Sequence, residues 1–380
     1  MNEDKAARYN RLRRRVRVAS LVWTAALLAG LLWTGLSVTL RSWAESSASR
    51  LSSVGVTGSA WTAAASVLIF VSLLVFLHET VSAPLAFYGG FVIERRYGLS
   101  NERFAAWVRD RVKALLVGWL LACMAAGTLY GCIALTPQRW WLTAGLLFAV
   151  LVAGLTELAP IVLLPIFYRL KPLDRQPLRD RLLVLADRAG ARVLGAYEWT
   201  LSDRTRRANA ALTGLGATRR ILISDTMLAE YSDDEIEVVL AHEIAHHAHG
   251  DIWKGMLLDI ALIGAGFYLA SLVVTALARS LGLRGSGDIA GLPLLLLATG
   301  AVTLAVAPVA HAVSRAFERS ADRFALALTG NPTAFISVMR RLGAQNLAEE
   351  HPSRVVQWLF YSHPPVKERV AAAQAFARSR

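Results

Sequence analysis

Ala241-His242-Glu243-Ile244-Ala245-His246 is the stretch from which the rest of the chain can be read. His-Glu-x-x-His on a helix sets His242 and His246 one turn apart on one face, where both imidazoles can address a single ion. Glu243 then lies beside that ion and can take a proton from a bound water. The local sequence favours the helix that this requires. Ser232 is a good N-cap, and Asp233, Asp234 and Glu235 fill the first turn, where the helix dipole favours anions. Ser232 followed three residues later by Glu235 fits a capping box, while Ile236, Val239, Leu240 and Ile244 supply an apolar face.

Working outward, residues 168–253 form the one long polar region. A helix is expected over 180–189, and strands near 193–199, 209–212 and 221–224, before the motif helix begins. Apolar blocks surround this region at about 16–40, 60–87, 114–135, 140–167, 255–281 and 292–317. A bilayer crossing takes about 20 apolar residues, so these blocks read as membrane helices. The composition agrees, with 55% hydrophobic and only 18% charged residues, which excludes an ordinary soluble enzyme. The fold class expected is a mainly α, polytopic membrane protein: about six transmembrane helices plus a small cytoplasmic α+β zincin-like metalloprotease domain. Its parts would be 1–167 with four membrane helices, 168–253 with the motif, 254–317 with two membrane helices, and 318–380.

A formal charge of +13 raises nucleic acid as a candidate partner. The positive-inside rule explains it better. Basic residues collect in the N-terminal 17 residues, in 94–113, after Phe167 and in the C-terminal tail. They are sparse in 136–139, in 282–291 and in 41–59, which reads as a Ser- and Gly-rich linker. That alternation puts both termini and the motif in the cytoplasm, makes the lipid bilayer the partner and excludes nucleic acid. Cys123 and Cys132 lie in apolar sequence without a C-x-x-C and read as packing residues. His78, Glu79 and Glu157 sit inside apolar blocks. They either pair and lock the bundle or face a water-filled cavity that opens on the metal.

A catalytic zinc needs a third protein ligand and keeps its fourth position for water. Glu318 is the candidate. It sits where the sixth membrane helix ends, and His246 sits just before the fifth begins; a short link makes those helices antiparallel neighbours, which brings Glu318 to the histidines. The competing reading is a surface acid paired with Arg315 or Arg319. Asp322, one turn beyond Glu318, can accept the free N–H of a ligating histidine and fix its tautomer. One zinc per chain is expected.

These residues resemble the type I CAAX prenyl protease family, integral-membrane zinc metalloproteases in which H-E-x-x-H is followed by E-x-x-x-D. Further segments carry the resemblance, in order, from about residue 80 to 370. They are Phe91-Val92-Ile93-Glu94-Arg95-Arg96-Tyr97-Gly98-Leu99, Asn209-Ala210 with Thr213-Gly214, Arg220-Ile221-Leu222-Ile223-Ser224-Asp225-Thr226, and Ser362-His363-Pro364-Pro365-Val366-Lys367-Glu368-Arg369. The resemblance implies His242, His246 and Glu318 as zinc ligands and Glu243 as general base. It sets His363 and Arg369 near the scissile carbonyl, where donors steady the tetrahedral intermediate. It also implies that Asn209, with Ala210 beside it, holds the substrate as a strand added to a sheet edge. Eukaryotic members have seven membrane helices around a hollow interior, and one N-terminal crossing is missing here. The compact form resembles bacterial members, which implies the bacterial inner membrane. Bacteria largely lack protein prenylation. The expected substrate is therefore a peptide or membrane protein cut near the cytoplasmic face, with prenyl-CAAX processing, or a non-catalytic scaffold or transporter, as alternatives. Oligomeric state is not legible.

Overall fold

The chain opens with α1 (Asn2–Trp33), whose basic first half gives way to an uninterrupted apolar run from Val18 onward. The computed structural model describes residues 2–52, 58–162, 164–214 and 219–379. After a break at Thr34-Gly35 comes α2 (Leu36–Ser52), where the sequence suggested a linker. Its Ser- and Ala-rich composition hides the reason. Ala44 and Ala48 are fully buried, and the buried Arg41 pairs at 2.5 Å with Asp288, some 250 positions away. Residues 53–57 of the expected linker lie outside the described residues.

Next come α3 (Ser59–Phe87), a π-helical turn (Tyr88–Val92) and α4 (Ile93–Arg96), which together form one continuous rod. They are followed by α5 (Phe104–Leu135), α6 (Trp140–Val162) and α7 (Leu164–Phe167). The polar region then runs β1 (Leu170–Pro172), α8 (Gln176–Arg188), β2 (Gly195–Trp199), β3 (Ala210–Thr213), β4 (Arg220–Ser224), α9 (Asp225–Glu230) and α10 (Asp233–Ala248). Helix α11 (Asp251–Leu277) leads through a 3-10 turn at Ile289–Gly291 to α12 (Leu292–Thr329), and α13 (Pro332–Gln345), α14 (Arg354–Phe360) and α15 (Val366–Arg378) complete the chain.

Among the described residues six stretches are long and apolar enough to cross a membrane, carried by α1, α3 with its extension, α5, α6, α11 and α12. Their outer faces display Phe76, Val150 and Leu257, side chains that lipid tails solvate and water would not. Phe70, Cys123, Cys132, Phe267 and Ala298 pack the interior of the bundle, and both cysteines are free and buried. A cavity of about 590 Å³ remains between α3, α5, α6, α11 and α12, lined by apolar groups such as Val71, Phe148 and Ile263 with Asp259. The intramembrane polar residues His78 and Glu79 turn elsewhere. His78 Nε2 lies 3.1 Å from Thr24 Oγ1 and Glu79 pairs with Arg111, so these two groups lock helices together.

The four-stranded sheet has the order β1-β2-β4-β3. Strands β2 and β4 are parallel, and β1 and β3 flank them antiparallel. Ile221, Leu222 and Ile223 make β4 the buried centre, with apolar side chains on both faces. Strand β1, only three residues long and partly exposed, carries no apolar alternation from which to predict it. Leu178, Leu182, Ile221, Ile236, Leu240 and Phe335 form the core that joins sheet and helices.

Polar contacts sort the loops into two ends. At one, Tyr9 donates to Glu94 at 2.7 Å, Arg207 pairs with Glu94 at 2.9 Å, and Asn10 donates to the Leu347 carbonyl at 2.7 Å. At the other, Arg41 meets Asp288, Arg284 meets Glu45 and Ser37 donates to the Ala290 carbonyl. The first end gathers the basic-rich segments and the second the basic-poor ones, as the loop composition suggested.

Candidate metal centre

Helix α10 is held at its start by the expected capping box. Ser232 Oγ accepts from the Glu235 N–H at 3.3 Å, and the Glu235 carboxylate accepts from the Ser232 N–H at 2.9 Å. Glu235 also accepts from Ser337 at 2.7 Å and Arg341 at 2.8 Å, which ties the helix to α13. Burial works against the Glu235 carboxylate, but these donors outweigh it and hold its pKa below the usual value. At the other end Gly250 takes a left-handed conformation (φ 67°) that ends α10 and begins α11 in one step.

That turn matters because Asp251 follows it. Asp251, buried at the head of α11, places Oδ2 3.0 Å from Nδ1 of His246. Asp322, buried on α12, places Oδ1 3.0 Å from Nδ1 of His242. Each imidazole is thus held at Nδ1 by a carboxylate, and each turns Nε2 toward Glu318: His242 Nε2 lies 3.3 Å from Oε2, and His246 Nε2 3.5 Å from Oε1. Ligand atoms of His242, His246 and Glu318 all lie within 4.8 Å of one another. Glu318 Oε2 is buried and accepts no hydrogen bond, although nitrogens of His242, His363 and Arg369 stand within 4.0 Å of it. A buried carboxylate with one oxygen toward Nε2 of each motif histidine, and one of those oxygens without a hydrogen bond, suits a divalent cation with N and O ligands.

Burial disfavours the charged form of His242, yet the carboxylates of Asp322 and Glu318 beside its two ring nitrogens prevail and raise its pKa to about 9. Glu243 is half-buried beside the same group, and burial raises its carboxyl pKa against the opposing pull of His242 and His246. His247, next to the second histidine, lies 3.2 Å from the Leu212 carbonyl, and burial lowers its pKa.

The C-terminal residues approach from the other side. His363, between α14 and α15, places Nδ1 2.9 Å from Glu318 Oε2 while its side chain stays largely exposed. Arg369 on α15 grips Asp322 with both arms of its fork, at 2.5 and 2.8 Å, and stands 4.0 Å from Glu318. Asn209 is exposed at the start of the edge strand β3, and Ala210 beside it is buried. All nine residues singled out from the sequence therefore belong to this end of the molecule, with Arg369 engaged to Asp322.

Two residues were not foreseen. Asp251 lies just past the motif, but its role depends on the Gly250 turn. Arg315, buried one turn before Glu318, donates to the carbonyls of Gln357 at 3.2 Å and Tyr361 at 2.7 Å and so fixes the segment leading to His363. Arg319, the other arginine beside Glu318, pairs with Glu368.

A family model for peptidase family M48 matches residues 172–377, more than half of the chain. The chain belongs to peptidase family M48. A second family model, CAAX prenyl protease N-terminal with five membrane helices, matches residues 2–169. The described residues of that part hold five long helices, α1, α2, α3, α5 and α6, of which α2 falls short of crossing length and hydropathy. Among the M48 relatives is an uncharacterized metalloprotease of Bacillus subtilis (strain 168), YhfN, which is 31% identical over 309 residues, 80% of this chain and 72% of its own. The CAAX prenyl protease 1 homolog of Caenorhabditis elegans is 25% identical over 354 residues, 83% of this chain and 79% of its own. The crystal structure of S. mikatae Ste24p superposes with a TM-score of 0.83 over 98% of this chain and 88% of that one; at 23% identity the likeness is one of fold. This M48 protein is an integral-membrane, metal-dependent peptidase.

Proposed function

We propose that the metal is a single zinc held by Nε2 of His242, Nε2 of His246 and the carboxylate of Glu318, and that the enzyme cleaves peptide bonds at the cytoplasmic face of a bacterial inner membrane. The observation that carries this reading is the convergence of those groups within 4.8 Å, with a buried carboxylate behind each histidine. Zinc in such a site supplies Lewis acidity, which polarises a carbonyl and makes water a stronger acid. Glu243 takes the proton from the attacking water and passes it to the leaving amine. His363, exposed beside Glu318, offers an N–H to the carbonyl oxygen as it gains charge. Arg369 holds Asp322, and Asp322 holds the His242 ring in the tautomer that frees Nε2.

The substrate adds to the sheet at β3. The Ser224 N–H donates to the Asn209 carbonyl, so alternation turns the backbones of Asn209, Ala211 and Thr213 toward β4 and those of Ala210 and Leu212 outward. His247 already engages Leu212, leaving the N–H and C=O of Ala210 for an extended peptide, with the exposed Asn209 at its end. The substrates are peptides or membrane-protein segments. Relatives named CAAX prenyl protease 1 and the apolar cavity between the helices support processing of prenylated C-termini as a second reading.

The test is Glu243→Gln in purified, detergent-solubilised protein, assayed on plain and farnesylated peptides. The variant should keep its metal and lose turnover by about a hundred- to ten-thousandfold, the usual loss of a general base. Substantial hydrolysis by metal-loaded variant would exclude Glu243 as the base, and cleavage confined to farnesylated peptides would favour the second reading.

A further inference from the structure

A basic cleft lies apart from the metal, where α1 enters the apolar part of the molecule. Arg13, Arg17 and Ser20 recur at three- and four-residue spacing, so they form one stripe on α1. With Arg14 they wall a cavity of about 370 Å³. Its opposite wall is apolar, built from Leu85 and Gly89 near the end of α3 and from Phe360 at the end of α14.

The cleft is a built feature. In the π-turn the Ile93 N–H donates to the carbonyl of Tyr88, five residues back, which widens the helix beside α1. A Cβ on Gly89 would stand 2.8 Å from Val16 Cγ1, so glycine permits the close approach that shapes the cleft. Arg17 is the last charged residue before the apolar run from Val18 to Trp33. One side of the cleft therefore faces water and the other hydrocarbon.

Its charge is unbalanced. Glu94 is shared by Arg13 and Arg207, and Glu349 is taken by Arg14. Arg17 is exposed and has no acidic partner among the described residues. A phosphate would supply the missing anion. A free phosphate gains nothing from Leu85, Val16 and Phe360, whereas the glycerol and acyl carbons of a lipid do. We infer that this cleft binds the phosphate headgroup of an anionic phospholipid from the leaflet on the metal side, with Arg13 and Arg17 contacting the phosphate. The bound headgroup rests against Phe360 and Tyr361; Arg14 donates to the Tyr361 hydroxyl at 3.0 Å, and His363 follows two residues on.

Native mass spectrometry of the full chain in a neutral detergent tests this, with phosphatidylglycerol and phosphatidylcholine as probes. Wild-type protein should retain one phosphatidylglycerol much more strongly than phosphatidylcholine, and equimolar inorganic phosphate should not displace it. Arg17→Gln breaks no contact within the protein and should weaken retention about fivefold, the effect of one basic residue at an anionic membrane surface. Arg15→Gln, on the same helix but outside the cleft, should leave it unchanged. Equal retention of the two lipids, equal effects of the two substitutions, or displacement by inorganic phosphate would each overturn the assignment, the last pointing to a free-anion site.

Discussion

Asp251 and Asp322 play matching parts, each holding Nδ1 of one motif histidine. Asp322 follows Glu318 by one helical turn, so its face is set by spacing within one element. Asp251 reaches His246 only because Gly250 turns the chain back, and no spacing rule covers a carboxylate across a left-handed turn. If both act as outer-shell carboxylates, Asp251→Asn should weaken metal affinity by about 10- to 100-fold, as measured by competition with a chelator. Affinity equal to wild type would assign Asp251 to capping α11 alone. Arg315 was hidden for a different reason. Its acceptors are backbone carbonyls of another segment, and every residue in a sequence offers one. His242, Glu243 and His246 were legible because one helix and one period carry all three.

At the scale of elements, α10 was readable from end to end, since its cap, first-turn acids and apolar face all lie within the helix. Its link to α13 was not. Glu235 joins the two helices, and its lowered pKa fixes the sign of its pH dependence. A carboxylate with a depressed folded pKa contributes stability that is present above the unfolded value and lost as pH falls through the folded one. Glu235→Gln should therefore lower stability at neutral pH by about 1–2 kcal/mol, discounted because Arg341 is partly exposed. In thermal unfolding the gap to wild type should narrow as the pH is taken towards ~3. A constant gap would assign the loss to packing. Helix α12 continues past Phe317, where its membrane block ends, for a related reason. Its sequence stops being uniformly apolar there, but Ala321, Ala325 and Leu326 exchange lipid for protein and stay buried to the end of the helix at Thr329. Hydropathy marks where a helix leaves the bilayer, which need not be where it stops. Helix α2 escaped because its buried face is two alanines and an arginine whose partner lies far along the chain.

At the scale of the whole molecule, the antiparallel pair α11 and α12 brings the metal centre together. The histidines stand just before the first of these helices enters the membrane, and Glu318 stands near the end of the second. The end that holds them also collects α4, the sheet and the C-terminal helices, and its basic loops argue for the cytoplasm. Reporter fusions at the C-terminus and within residues 41–52 should give opposite sidedness, and equal sidedness would refute the arrangement. The central claim is that one metal is shared by two helices that meet only through the membrane fold. Zinc content per chain, measured side by side for purified wild-type and Glu318→Gln protein of equal folded fraction, tests it most directly. One zinc per wild-type chain and a marked loss in the variant are expected; an unchanged, full zinc content in Glu318→Gln would contradict it.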